Sequence, residues 1–324
     1  MKRPLSVASA FLLLVLFAPA PARGLPPGRA WSPTDRMGKP GFLYLAGPRL
    51  ETDTLGVPTA FVAAVYGPTG DAIVGYRWTG ERWTETWQID RESGYLWPVH
   101  APRGEQHLVW VDYAPVPERR GPYARLFMAQ VLGDRVGPID TVAIVHDKTV
   151  SYAAAVSARR RWVLAKDGLV GLRLFHSDAP RQWRDLPVHG SGDNGVAVIA
   201  LDDTTVLVAT AAIGPITWGI VRGSTWIGGT QPIPDDYAYA PVFRLRPSGG
   251  QWLEWGSADQ DYAGVMSYRD GAWSAPESLR CAHRAPGQHL ANCGDLSRDP
   301  GQYPAVAWAD QLNAVFTVCA CMPT

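Results

Sequence analysis

One phrase returns along the chain at a nearly constant interval: a strand, a tight polar turn, then a large apolar residue that opens the next strand. It reads Gly-Tyr-Arg-Trp-Thr-Gly-Glu-Arg-Trp up to Trp83, Leu-Phe-Met-Ala-Gln-Val-Leu-Gly-Asp-Arg-Val up to Val136, and Leu-Phe-His-Ser-Asp-Ala-Pro-Arg-Gln-Trp up to Trp183. It returns as Gly-Ile-Val-Arg-Gly-Ser-Thr-Trp up to Trp226 and Met-Ser-Tyr-Arg-Asp-Gly-Ala-Trp up to Trp273. Each copy carries the signature of a β-hairpin. The copies lie 43 to 53 residues apart, and a strand-built repeat of roughly 40 to 50 residues predicts the blades of a β-propeller.

Two further strands precede each hairpin. The second strand of each unit is read in 108–112, 162–167, 206–209, 252–255 and 305–310, and the innermost in 152–156 and 195–200. The innermost runs are small and apolar whereas the outer positions are Trp, the size order of a ring that is tight at its axis and wide at its rim. The composition agrees, since 14 Trp, 33 Gly and 28 Pro leave little room for long helices. The last unit reaches its third strand near Cys321 and has no Trp phrase after it. The phrase Gly-Arg-Ala-Trp-Ser-Pro-Thr-Asp at 28–35, one repeat upstream of Trp83, supplies Trp31 as the missing outer strand. The expected fold is all-β, a six-bladed propeller whose last blade is closed by that N-terminal strand, because abutting ends would leave unpaired strand edges at an open seam.

Residues 1–22 join Lys2 and Arg3 to a short apolar run and end Ala20-Pro21-Ala22, which reads as a secretory signal peptide. The mature chain, 23–324, is expected as one exported domain, secreted or periplasmic, with no inserted membrane span. Thirty basic side chains balance thirty acidic ones, which argues against nucleic acid or anionic membrane as a partner. Four cysteines lie late in the chain; in an oxidising compartment Cys281 and Cys293 form the preferred bridge across a local loop, with Cys319 and Cys321 left open among the possible pairings. Their spacing does not suit zinc.

Leu-Val-Trp-Val-Asp at 108–112, followed by strand, turn and Trp and repeated about six times in an exported chain, resembles the bacterial sialidase-like β-propellers. The resemblance covers nearly the whole mature chain. It implies Asp-boxes, Ser-x-Asp-x-Gly-x-Thr-Trp, in the turn between third and fourth strands. The corresponding turns here, Ser267 to Trp273 and Ser177 to Trp183, miss that spacing, and Ser191-Gly192-Asp193-Asn194-Gly195 matches half of the box between blades. A sialidase also needs three arginines, one in an early Arg-Ile-Pro phrase, and a Tyr/Glu nucleophile pair. Arg-Ile-Pro does not occur, and the nearest phrase is Phe243-Arg244-Leu245-Arg246-Pro247.

In a propeller the loops entering the innermost strands and leaving the second strands gather at one mouth of the channel. The second strands end in Asp112, Asp167 and Asp310, with Asp259 beyond Trp255. Carboxylates there suit acid/base work on a sugar, though an Asp at a strand end also simply begins a turn. The entering loops bring Tyr95, Trp97 and His100, then His189 and Asp193, then Asp235, Asp236, Tyr237 and Tyr239. Aromatic faces beside carboxylates suit a carbohydrate ring, and equally suit packing between blades. The excursion 114–123 reads as a surface loop, a lid or a partner contact. Serine-hydrolase, zinc-protease and phosphate-loop motifs do not occur. No cofactor is expected, Ca²⁺ at Asp259-Gln260-Asp261 being a weak alternative.

The reading is therefore a binding module for a glycan or an extracellular protein, without an intact sialidase site. The alternatives are a glycoside hydrolase or lyase using Asp112 and Asp310, and a structural interaction scaffold. Fold alone does not choose among them.

Overall fold

A computed structural model describes residues 43–44, 49–52, 57–67, 70–79, 82–90, 96–100, 105–112, 116–117, 121–146, 151–193, 195–211, 215–233, 238–245, 251–257, 262–280, 296–297, 305–310 and 315–320. No helix occurs among them. The chain divides into two units, 1–35 and 36–324, and every described residue belongs to the second.

The described strands fall into six antiparallel sheets, each drawn from a consecutive stretch of chain. Sheet 1 holds β1 (Leu43–Tyr44), β2 (Arg49–Thr52), β3 (Pro58–Gly67), β4 (Gly70–Trp78) and β5 (Trp83–Asp90). Sheet 2 holds β6 (Leu96–His100), β7 (Gln106–Asp112), β8 (Tyr123–Leu132), β9 (Arg135–Val136) and β10 (Asp140–His146). Sheet 3 runs through β11 (Tyr152–Val156), β12 (Arg161–Asp167), β13 (Gly171–Ser177) and β14 (Arg184–Pro187). Sheet 4 runs through β15 (Gly195–Ala200), β16 (Thr205–Ala211), β17 (Ile216–Arg222) and β18 (Thr225–Gln231). Sheet 5 holds β19 (Ala238–Leu245), β20 (Gln251–Ser257), β21 (Tyr262–Arg269), β22 (Ala272–Trp273) and β23 (Glu277–Arg280). Sheet 6 has β24 (Leu296–Ser297), β25 (Ala305–Asp310) and β26 (Val315–Ala320).

The sheets are meanders, and the sequence shows why they turn where they do. Gly223, at φ 59, opens the two-residue turn between Arg222 and Thr225, the place where a hairpin of type II′ needs glycine. Asp270 and Gly271, at φ 51 and 84, both adopt the left-handed conformation that the mirror-image turn between Arg269 and Ala272 requires. Of the five repeated positions expected to begin outer strands, Trp83 begins β5, Trp226 is second in β18, Val136 and Trp273 close the two-residue strands β9 and β22, and Trp183 directly precedes β14.

What joins the sheets is burial on both faces. In β7, Val109 and Val111 pack on Tyr152, Ala154 and Val163 of sheet 3. Leu108 and Trp110, with the opposite parity, pack on Phe61 and Ile73 of sheet 1. Sheet 3 divides likewise, with Trp162 and Leu164 facing Val196 and Val206 of sheet 4, and sheet 4 turns Ala209 and Ile216 to Leu253 and Trp255 of sheet 5. A strand covered on both sides has no polar face, which explains runs such as Leu-Val-Trp-Val and Trp-Val-Leu-Ala. The first strands of successive sheets lie side by side, β6 with β11, β11 with β15 and β15 with β19.

The repeated residue fills the wedge toward the preceding sheet. Val136 packs into the core between sheets 1 and 2, Trp183 into that between 2 and 3, Trp226 into that between 3 and 4, and Trp273 into that between 4 and 5. Trp83 packs on Ala60, Val62, Ala72, Val74 and Tyr76 of its own sheet. The expected outer strand at Trp31 and the cysteines Cys281, Cys293 and Cys321 lie outside the described residues, and Cys319 is placed by backbone pairing opposite Val306.

Tryptophan also covers glycine within the sheets. A Cβ on Gly264 would fall 2.1 Å from the Trp255 ring, and one on Gly219 2.2 Å from the Trp226 ring. Trp255 is almost wholly buried and cannot swing away. Gly264→Ala is therefore expected to lower stability by about 1–3 kcal/mol through overpacking. Gly229→Ala, whose Cβ meets nothing nearer than 3.9 Å, should leave stability within about 0.5 kcal/mol. Urea unfolding of both variants beside the parent checks the contrast.

Candidate functional site

The end of each sheet at which first strands begin and second strands finish is where the sequence places a site. Asp112 ends β7 opposite Arg125, and Asp167 ends β12 opposite Gly171. Both side chains are buried. Asp167 accepts a hydrogen bond from the backbone N–H of Leu169 at 3.0 Å, which closes the turn into β13, and receives Arg173 at 3.4 Å. Arg173 in turn donates to Asp185 from Nη2 at 2.7 Å and from Nε at 3.0 Å, and lies over the Phe175 ring. Beside this chain Lys166 donates to Asp193, and that hydrogen bond holds the Asp193 carboxyl below its ordinary range. Asp185, Arg173 and Asp167 thus form a charged strip on sheet 3, with the Lys166–Asp193 pair beside it.

The connector residues 188–193 lead from the rim of sheet 3 toward β15 beside this strip, and their glycines permit the approach. Gly190, at φ 120, lies where a Cβ would come within 2.4 Å of the buried Thr210 hydroxyl. His189 is exposed and meets the edge of Trp226, with ring centroids 5.4 Å apart, so it sits toward the seam between sheets 3 and 4.

Trp97 and Tyr239 stand near the starts of first strands, opposite Val109 and Gly256. Asp310 ends β25 opposite Val315. His100 is at the other end of β6, opposite Gln106 where β7 begins, rather than in the loop entering the strand. Tyr95, Asp235, Asp236, Tyr237, Asp259 and Asp261 lie outside the described residues. Among the described residues no group of three His, Cys, Asp or Glu side chains is placed to hold a metal ion.

A buried polar arrangement lies at the far end. His107, two residues before Val109, shares its face toward sheet 3; Arg161, two before Val163, faces sheet 2, where it meets Asp140 of β10. Arg161 donates to Asp140 at 2.7 Å and to Ser177 at 3.3 Å, and its guanidinium lies 5.1 Å from the centre of the Trp183 ring. Neither nitrogen of the His107 ring has a hydrogen-bond partner. Burial, with the nearby Arg161 charge, lowers its pKa from 6.5 to about 4. The sequence signal was the run Arg159-Arg160-Arg161: Arg159 reaches Asp203 of sheet 4 and Arg160 reaches Asp178 of its own sheet, while Arg161 reaches Asp140 of sheet 2. One basic turn thus ties three sheets together.

No protein-family model and no curated protein sequence matches the chain. Solved structures do. An α-L-arabinanase of Penicillium chrysogenum, complexed with arabinobiose, superposes over 87% of this chain and 93% of its own with a TM-score of 0.59 and 14% identity. The intramolecular trans-sialidase of Ruminococcus gnavus, in complex with oseltamivir carboxylate, matches over 86% and 93% with a TM-score of 0.54 and 9% identity. The lectin SapL1, in complex with α-methyl fucoside, matches over 87% and 98% with a TM-score of 0.53 and 14% identity. The fold they share with this chain is the β-propeller.

The His107 arrangement gives a stability test. A histidine whose folded pKa lies below its unfolded value withholds a proton that the unfolded chain takes up. Its contribution is complete above pH 6.5 and is lost as pH falls toward 4. Unfolding free energy should fall across this window by on the order of 3 kcal/mol, and His107→Gln should flatten much of that slope. Denaturant unfolding of both proteins at pH 7, 6, 5 and 4 measures it; parallel slopes would mean that His107 is not the group responsible.

Proposed function

We propose that residues 23–324 form an exported, sialidase-like propeller of six blades, the last completed by the strand through Trp31, and that its mouth binds a glycan without hydrolysing it. Residues 1–22 are its export signal, and a Cys281–Cys293 bridge suits the oxidising compartment it enters. Sheet 6, with three described strands where sheets 3 and 4 have four, leaves room for one more outer strand. The apolar face of sheet 1 around Ala60, Val62 and Trp83 is the face that sheets 2 to 5 each turn to the sheet before them.

The observation that carries the binding reading is the pairing of the acids on and beside sheet 3. A glycosidase needs one carboxyl that keeps its proton near neutral pH and a second at a fixed separation from it. Asp167 and Asp185 are instead tied to Arg173, and Asp193 to Lys166. Such a strip can accept hydrogen bonds from sugar hydroxyls but is poorly suited to deliver protons. The fold is shared with proteins solved with arabinobiose and with α-methyl fucoside, and their ligands set the first sugars to try. If no glycan is retained, an extracellular protein is the remaining class of ligand.

The mature chain on a glycan array, run beside hydrolysis assays on arabino-oligosaccharides and aryl glycosides, tests this. Retention of a defined glycan with no turnover is the expected result. Turnover that disappears in Asp112→Asn or Asp310→Asn would assign the chain to the glycoside hydrolases instead.

A further inference from the structure

The outer strands of the propeller are edges, and natural sheets protect their edges with charges, proline, bulges or brevity. In this chain β5 carries Glu85, Asp90 and a register shift, and β10 carries Asp140 and a register shift. β14 is four residues long with Arg184, Asp185 and Pro187; β22 has two residues, and β23 carries Glu277 and Arg280. β18 has none of these devices. It runs Thr-Trp-Ile-Gly-Gly-Thr-Gln over seven residues in unbroken register with β17 and, among the described residues, pairs with no other strand. Five of its seven residues are exposed, and Ile227 is 61% exposed.

Its hydrogen-bonding direction follows from the turn. In a two-residue hairpin the flanking pair, Arg222 and Thr225, exchanges its N–H and C=O groups. Bonded and non-bonded pairs then alternate. Ile227, Gly229 and Gln231 bond inward to β17, while Trp226, Gly228 and Thr230 direct their backbone groups to the open edge. The side chains are arranged with equal economy. Trp226 packs inward against the core between sheets 3 and 4, and Ile227 projects from the opposite face. Two positions further along that face stands Gly229, where a Cβ would meet nothing nearer than 3.9 Å.

We propose that β18 pairs antiparallel with β18 of a second copy of this chain, about a twofold axis at Gly228. In that register Gly228 faces Gly228 and Trp226 faces Thr230, so every outward N–H and C=O of the three residues finds a partner, on the order of six hydrogen bonds. Ile227 then lies opposite Gly229 of the other copy in a close, non-bonded pair, a projecting side chain over a bare backbone, and the twofold repeats the contact. The strand has no charge, so self-pairing brings no like charges together. The occupant is a second copy because both halves of the fit, projection and hollow, are on one strand at equal distances from its centre.

Sedimentation of the mature chain from about 1 to 100 μM, a range suited to a modest interface, tests the pairing together with amide exchange. The expected result is a concentration-dependent dimer, with the Trp226, Gly228 and Thr230 amides protected as it forms. Ile227→Lys places cations near one another across the axis, and Gly229→Val fills the hollow. Each should raise the dimer dissociation constant by about tenfold or more while the monomer keeps its melting temperature. A chain that stays monomeric over this range, or a dimer that both variants leave unchanged, overturns the proposal.

Discussion

Each of the inner sheets of this protein is apolar on both faces, and that constraint governs the rest. A sheet with Val109 and Val111 on one side and Leu108 and Trp110 on the other cannot be stable alone or at the edge of a sandwich. It needs a sheet before it and a sheet after it. Twisted sheets that stack in this way splay toward the rim, so the filler must be small at the first strand and large at the fourth. Ala153, Ala154 and Ala155 of β11 satisfy the first need, and the series Trp183, Trp226 and Trp273 the second.

Polar chemistry is confined to what this stacking leaves, the two ends of the sheets and the rim. At one end Arg173 pairs with Asp167 and Asp185, and Lys166 with Asp193. At the other, the turn Arg159-Arg160-Arg161 distributes three cations among three hairpins. The Arg161–Asp140 pair and the unpartnered His107 lie inside the seam between sheets 2 and 3, so the charge state of the seam and its packing are coupled. At the rim, most outer strands are blunted and β18 is not.

The hairpins, their turns and the second strands were legible because they rest on local rules: short apolar runs bounded by turns, glycine at positive φ, and a large residue after the turn. Asp167 was legible as a turn former for the same reason, and its bond to Leu169 is that role. His100 was misplaced because Pro98 makes its neighbourhood read as a loop. Among the described residues β6 pairs only with β7, however, and a proline without an N–H is tolerated on such an edge strand. The Arg161, Asp140 and His107 arrangement was not read from the sequence: the run Arg159-Arg160-Arg161 marks one member, but the register that brings Asp140 and His107 to it from another sheet is encoded by no local pattern. The Asp-box spacing likewise failed where Asp270 and Gly271 make the same turn without it.

We propose that the first and last sheets depend on each other as the inner sheets depend on their neighbours, so that the stack closes on itself. Native-state amide exchange across all six sheets measures this directly. A closed ring opens as one unit, so β3 of sheet 1 and β25 of sheet 6 should exchange with the same free energy as β12 in the middle. An open stack frays from its ends. Exchange free energies that fall steadily from sheet 3 toward sheets 1 and 6 would contradict the account.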